Sequence, residues 1–267
     1  NNTSNVGSTK SQSVTWIDKN APTISANPSS ASTYTKTKSV TVTAKDTGTS
    51  GLAASQSLKY AWSTSSTTAP SSFSTVSGSN SAGATSANFT VSGSGLTGTY
   101  YLWIQAGSIK DRATNTNAVA HFGPYNFDNT NPTATVSITA RASKTLTAQI
   151  SNVNDVGSGM PTTRTYNYFI KKASASTYPT TASYSGPNTS YQFTNLDHNT
   201  SYTVRVTFTD NASNPGSATA TQSTVQVPAL NSSNTTFKLS ETKITNKNIT
   251  VTISTTVSGY TLQYRIG

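Results

Sequence analysis

Residues 202–208 constrain the fold more than any other stretch of the sequence, because apolar and polar side chains alternate strictly there. The apolar positions are Tyr202, Val204, Val206 and Phe208. The polar positions beside them are Thr203, Arg205, Thr207 and Thr209. Successive side chains of an extended strand point to opposite faces. The alternation therefore predicts a half-buried β-strand with one apolar face on a core.

A linker motif recurs later in the chain and sets a repeat length. Asp18 stands four residues before Pro22, and Asp128 stands four residues before Pro132. The two Asp residues are 110 positions apart, a spacing that is typical of an array of small β-sandwich domains. Proline fixes φ and lacks a backbone donor, so each copy suits the start of a new module.

Two turn motifs also occur once in each repeat. Residues 46–52 match residues 155–160, where an Asp is followed by Gly and Ser, and residues 111–115 match residues 210–214 as Asp-x-Ala-x-Asn. Asp and Asn side chains close turns through the neighbouring backbone, and Gly supplies positive φ. Both motifs therefore predict tight turns between strands.

A tyrosine corner is expected at Tyr202, with Leu196 just upstream, so that the Tyr hydroxyl returns to backbone at the turn before the strand. Leu96 and Tyr100 repeat this pattern on a shorter spacing. With its corner, turn motifs and repeat, the chain resembles tandem immunoglobulin-like and fibronectin type III-like modules of bacterial, chiefly Gram-positive, surface proteins or of phage tails. The resemblance implies an all-β fold of tandem β-sandwiches in an elongated array.

Four segments are expected on this basis. Residues 1–19 are a linker and the last strand of a preceding module, 20–128 an immunoglobulin-like domain, 129–227 a fibronectin type III-like domain, and 228–267 a truncated third module. The repeat period and the alternating stretches place these boundaries.

Alternation predicts the individual strands of each module. In the first module they fall near residues 40–44, 58–62, 89–91, 102–106 and 119–127. In the second they fall near 134–138, 146–150, 166–170, 191–193 and 218–225, and in the third near 249–253 and 260–266. Trp62 is thus expected at the position of the core tryptophan of an immunoglobulin-like sandwich.

Composition restricts the environment and the partners. The chain has no cysteine and a charged fraction of 10%, against about 25% in a typical soluble domain. The lack of disulfides favours a Gram-positive exterior or a virion over an animal secretory protein. The net charge of +10 is spread over scattered lysines, which favours a solvated exterior over a nucleic-acid surface and leaves a cell-wall polyanion as an alternative partner. No apolar run is long enough to span a membrane.

The turn motifs allow a second interpretation as a calcium site. In a sandwich of this topology the relevant turns share one end, which would bring Asp128, Asp155 and Asp210 together at the joint between modules. Three carboxylates with nearby carbonyl oxygens suit calcium. The acidic spacing is sparser than in dedicated calcium loops, so turn closure without a cofactor is the preferred interpretation.

Catalytic chemistry has few candidate residues. The sequence has one Glu, Glu241, and two histidines, His121 and His198. No paired carboxylates, nucleophile with base, or metal-ligand cluster emerges from their spacing. The sequence therefore predicts a protein that is not an enzyme.

Two aromatic residues are the candidate ligand-binding positions. If Leu102 and Ile104 face the core, Tyr101 and Trp103 must face outward. Such a pair could stack on a sugar ring or bind a partner protein. The alternative, which is preferred, is that the segment 63–86 folds over them.

These observations favour a non-enzymatic spacer and adhesion segment of an extracellular bacterial surface protein, whose partners are neighbouring modules and a cell-surface glycan or protein. The alternatives are a receptor- or glycan-binding module of a phage tail-associated protein, and an accessory domain of a larger secreted enzyme.

Overall fold

The computed structural model describes residues 17–231, 233–239 and 250–257. The chain divides into two compact units, Asn1–Thr130 and Asn131–Gly267. Regular structure in the described residues is entirely β-strand, so the all-β fold predicted from the alternation is confirmed. In this part of the chain no helix is long and apolar enough to cross a bilayer.

The first unit is a sandwich of two sheets. Its strands are β1 (Thr23–Asn27), β2 (Ala31–Thr35), β3 (Thr37–Lys45), β4 (Ser57–Ser63), β5 (Ser74–Ser77), β6 (Ser86–Ser94), β7 (Gly98–Ile104) and β8 (Ala120–Phe127). One sheet has the order β1-β3-β6, and the other has the order β2-β8-β7-β4-β5. Strand β2, at one edge of the larger sheet, pairs with β8 in the parallel direction.

The core of the first unit lies between the two sheets. Val40 and Val42 of β3 are fully buried, as are Leu102 and Ile104 of β7. On β3 the alternate residues Thr41 and Thr43 are more exposed, which is the alternation that the sequence showed. Trp62 packs against this core, with its ring edge-on to Tyr125 at 5.2 Å.

The second unit is also a two-sheet sandwich. Its strands are β9 (Thr133–Arg141), β10 (Leu146–Asn154), β11 (Tyr166–Lys172), β12 (Tyr184–Gly186), β13 (Ser190–Phe193), β14 (Ser201–Thr209) and β15 (Pro215–Ser223). The sheets have the orders β13-β10-β9 and β12-β11-β14-β15. Three strands facing four in this order is a fibronectin type III-like arrangement, a relative of the immunoglobulin sandwich.

A tyrosine corner begins β14, as predicted. The Tyr202 hydroxyl accepts a hydrogen bond from the backbone N–H of Asp197 at 3.0 Å. In the first unit the turn from Leu96 to Tyr100 is shorter by two residues, and no such bond from Tyr100 occurs in the described structure. Tyr100 instead packs edge-on against Phe127 at 5.8 Å.

A hairpin follows the second sandwich within the same unit. Strand β16 (Thr235–Leu239) pairs antiparallel with β17 (Val251–Thr255). The strand expected near residues 249–253 therefore corresponds to β17. The strand expected within residues 1–19 lies outside the described residues except for residues 17–19, and the strand expected at residues 260–266 lies wholly outside them.

Candidate functional site

Trp103 of β7 is covered rather than available on the surface. Its side chain is 5% exposed, and its indole N–H donates a hydrogen bond to the carbonyl of Ser65 at 2.8 Å. The ring also stacks on the His121 ring, with 4.6 Å between the ring centres. The segment after β4 therefore covers Trp103, as expected from the low frequency of exposed tryptophan.

Tyr101 is the more accessible member of the pair. Its side chain is half-buried and its ring lies edge-on to His121 at 6.3 Å. A Cβ atom at Gly123 would lie 3.0 Å from the Tyr101 ring, so the absence of a side chain there makes room for it. The ligand-binding role of Tyr101 and Trp103 stays a prediction.

Three carboxylates converge in the first unit, a set that the sequence did not single out. Asp18 precedes β1, Asp46 follows β3, and Asp111 lies in the loop between β7 and β8. One oxygen of each lies within 4.8 Å of the others. Asp46 and Asp111 are 3% and 2% exposed. The available signal was the repeat itself, because these residues occupy the same motif positions as Asp128, Asp155 and Asp210.

Hydrogen bonds fix each of these carboxylates to a turn. Asp46 accepts the N–H of Gly48 at 2.9 Å, and Asp18 accepts the N–H of Ser50 at 2.9 Å. Asp111 accepts the backbone and side-chain N–H groups of Asn115, both at 2.7 Å. The bonds of Asp46 and Asp111 are the turn closure that the sequence predicted, whereas the bond of Asp18 joins its segment to the loop after β3.

The Asp18 carboxylate accepts hydrogen bonds both from its own segment, at Asn20, and from the loop after β3, at Ser50. Hydrogen bonds from the Ser50 hydroxyl, followed by those from the backbone of Asn20 and Ser50, hold the pKa of Asp18 below its ordinary value. A Cβ atom at Gly48 would lie 2.1 Å from an Asp18 oxygen, so only glycine allows this approach. Clustered carboxylate oxygens of this kind are ligands that a hard cation such as calcium prefers.

The second unit repeats part of this arrangement. Asp155 accepts the N–H of Gly159 at 2.7 Å, and Asp210 accepts the N–H of Asn214 at 2.7 Å. The two Asp residues place carboxylate oxygens within 4.8 Å of each other. The second oxygen of Asp155 is buried and has no hydrogen-bond partner among the described residues. Asp128 is buried in the first unit, and the calcium site expected from the three residues stays a prediction.

A surface pocket in the second unit contains a cation that sequence reasoning treated only as part of a polar face. The pocket has a volume of about 670 Å³, and its lining includes Arg205 and Thr207 of β14, Asn167 of β11 and Ser217 of β15. The guanidinium carbon of Arg205 lies 4.2 Å from the ring centre of Tyr178. Sequence periodicity could not reveal this contact, because Tyr178 lies outside the strands.

Comparisons with known proteins give distant structural similarities only. No protein-family model matches the chain, and no curated protein matches it. Among solved structures, domains A168-A170 from titin are 12% identical with a TM-score of 0.35, covering 72% of this chain and 60% of that chain. Chicken CNTN1 FN1-FN3 domains are 13% identical with a TM-score of 0.31, covering 72% and 65%. The chain thus spans less than two thirds of either fragment.

A third structure, the fibronectin type-III domain of human fibronectin type III domain containing protein 3, is 18% identical with a TM-score of 0.29. The match covers 36% of this chain and 84% of that domain. The strand order of the two units is what places this chain in the class of immunoglobulin-like and fibronectin type III-like sandwiches.

Proposed function

We propose that the chain is a non-enzymatic spacer and adhesion segment of a large extracellular bacterial surface protein. Sandwiches of this class commonly serve as structural or binding modules, and fold alone does not choose between these roles. The observation that carries the proposal is the use of the turn carboxylates. In both units they bind the backbone of turns: Asp46, Asp111, Asp155 and Asp210 bind within their own loops, and Asp18 binds the loop after β3.

The acidic loops are closed structures rather than open reactive sites. Asp111 and Asp210 are both nearly fully buried, and each holds an Asn four residues later through backbone and side-chain bonds. A catalytic acid or base needs a path to a substrate proton. Carboxylates that are committed to turn closure in this way support a structural function for the loops.

The sequence supports an extracellular placement of such a segment. The absence of cysteine and the uncharged polar composition suit a disulfide-free bacterial exterior. The proposed partners are the neighbouring modules of the same protein and a cell-surface glycan or protein.

One observation favours the second candidate function, a receptor- or glycan-binding module such as those of phage tails. It is the Arg205 pocket of the second unit, whose volume lies within the range of about 300 to 1,000 Å³ of small-molecule sites. The two functions are compatible, because a spacer can also adhere.

Stretching the full chain between a surface and a force probe tests the spacer function. Each sandwich should resist force on its own and unfold in a separate step, with a gain of about 3.5 Å of contour length per unfolded residue. A fibronectin type III pair of similar length serves as the reference. Extension without separate force peaks would overturn the proposal.

A further inference from the structure

The outer face of the β11-β14-β15 sheet carries a prearranged cation in the second unit. Arg205 pairs with Phe169 across the sheet, and its guanidinium carbon lies 4.8 Å from the centre of the Phe169 ring. The Tyr178 ring lies 4.2 Å away. Contacts with two rings fix a side chain that would otherwise sample many rotamers, so the guanidinium is held in place without a bound ligand.

The guanidinium of Arg205 has no protein anion to neutralise it in the described residues. The ion pair in this part of the chain joins Lys172 to Asp197 instead. The Nε–H group of Arg205 is buried and unpartnered, which leaves the cation with fewer hydrogen bonds than guanidinium usually makes. A ligand oxygen on the terminal nitrogens would supply the missing negative charge.

A row of polar side chains lies beside this cation. Asn167, Thr207 and Ser217 are cross-strand neighbours on one face, as the pairing of β11, β14 and β15 shows. Their side chains make no hydrogen bond to another described residue. Further along the same sheet, by contrast, Thr203 and Thr221 bond to each other at 3.0 Å. The row therefore keeps its donors and acceptors for a ligand.

The charged residue that lines the pocket is Arg205. Lys171 lies 5.2 Å from the centre of the Tyr178 ring, so this ring contacts both cations. Arg forms bidentate hydrogen bonds with carboxylates more effectively than Lys does. Hydroxyl and amide groups in a row suit the hydroxyls of a sugar.

We propose that the Arg205 pocket binds an acidic glycan, with a sugar carboxylate on the Arg205 guanidinium and sugar hydroxyls on Asn167, Thr207 and Ser217. This site rests on the adhesive part of the proposed function and names its ligand class, and it is independent of the spacer function. Loss of glycan binding would leave the force response of the chain unchanged, so the two proposals fail separately.

Calorimetric titration of the full chain with an oligogalacturonate tests the site, and the fully methyl-esterified oligomer is the matched neutral ligand. We expect the acid to bind and the ester to bind at least tenfold more weakly, because a hydrogen bond between charged groups is worth about tenfold or more in affinity. Equal binding of acid and ester, or no binding of the acid, would overturn the proposal.

Three substitutions separate this site from general polyanion attraction, and two of them, Arg205→Gln and Arg141→Gln, remove the same charge. Arg205→Gln should weaken acid binding about tenfold or more, and Arg205→Lys should not restore it, because Lys lacks the planar fork. Arg141→Gln removes an exposed cation at the end of β9 in the other sheet and should change affinity less than twofold. Equal losses from Arg141→Gln and Arg205→Gln would contradict the proposal.

Thr207→Val is the variant that leaves the ring contacts of Arg205 intact. It removes one hydroxyl from the polar row and should weaken acid binding several-fold while the melting temperature holds. Unchanged binding in Thr207→Val would overturn the role of the row. If a glycerol phosphate oligomer binds more tightly than the oligogalacturonate, the site prefers a phosphate polymer to a sugar carboxylate. That result would refute the assignment.

Discussion

The hydroxyl of Tyr202 accepts a hydrogen bond from the backbone N–H of Asp197 at 3.0 Å, and this bond ties the start of β14 to the preceding turn. Tyr202 is buried, and the N–H of Asp197 is the polar partner of its hydroxyl group. The bond fixes the entry of the strand that carries Val204 and Val206 into the core.

Tyr202→Phe should destabilise the second unit by about 1 to 2 kcal/mol, because the N–H of Asp197 loses its acceptor while the ring stays in place. Urea denaturation of the full chain measures the change. Tyr191→Phe is the control, since the Tyr191 ring packs against the core that contains Val204 and Val206 and its hydroxyl has no hydrogen bond in the described structure. Equal effects of the two substitutions would contradict this interpretation.

Buried tyrosines predict a loss of stability in alkaline solution. Burial raises the pKa of Tyr125 in the first unit and of Tyr168 in the second to about 12, against about 10 in an unfolded chain. A raised pKa means that the folded state favours the neutral phenol. Its contribution is complete below pH 10 and is lost as the pH rises from about 10 towards 12.

Denaturation midpoints measured at increasing pH test this expectation, with tyrosinate absorbance followed in parallel. The midpoint should fall above pH 10, and Tyr125→Phe should flatten that fall for the first unit. Ionisation of every tyrosine near pH 10 without unfolding would show that the phenols are not protected.

The sequence predicted the large strands because their packing follows local alternation. Strand β14 has its apolar residues buried and its polar residues more exposed, as residues 202–208 required. The same rule placed Trp103 on the outer face of β7, and the scarcity of exposed tryptophan favoured a cover. The Ser65 carbonyl that binds its N–H could not be identified, since it comes from an irregular segment.

Short edge strands and long-range contacts could not be predicted in this way. Strands β5 and β12 have four and three residues, too few to show a period, and pairing with a neighbour defines them. The carboxylates of Asp18 and Asp111 meet although the chain between them is long. Only the three-dimensional closure of one end of the sandwich brings them together.

The calcium hypothesis, which the sequence suggested for Asp128, Asp155 and Asp210, extends to the matching set of Asp18, Asp46 and Asp111 in the first unit. Three like charges within 4.8 Å repel each other, and a divalent cation would relieve that repulsion. On this hypothesis millimolar calcium raises the melting temperature of the full chain relative to chelator, because a ligand of the native state stabilises it by mass action.

Asp46→Asn provides the internal check on calcium. The amide keeps an oxygen for the N–H of Gly48 but removes one charge, so it should abolish the calcium response while preserving the turn. Magnesium at the same concentration controls for ionic strength. A melting curve that calcium leaves unchanged, together with a more stable Asp46→Asn variant, would establish turn closure as the role of these residues.

Trp103 separates a structural role from a binding role on the first unit. Its indole is nearly fully buried between the Ser65 segment and His121, so Trp103→Ala should remove packing and leave a carbonyl unpaired. We expect a loss of about 3 kcal/mol in the free energy of unfolding. Tyr101→Ala, which removes a half-buried ring on the same strand, should cost less.

Binding of the full chain to bacterial cells is the decisive second measurement, because a structural Trp103 affects stability while adhesion by the remaining folded protein is unchanged. A normal melting curve with abolished cell binding in Trp103→Ala would instead make Trp103 the centre of an interface.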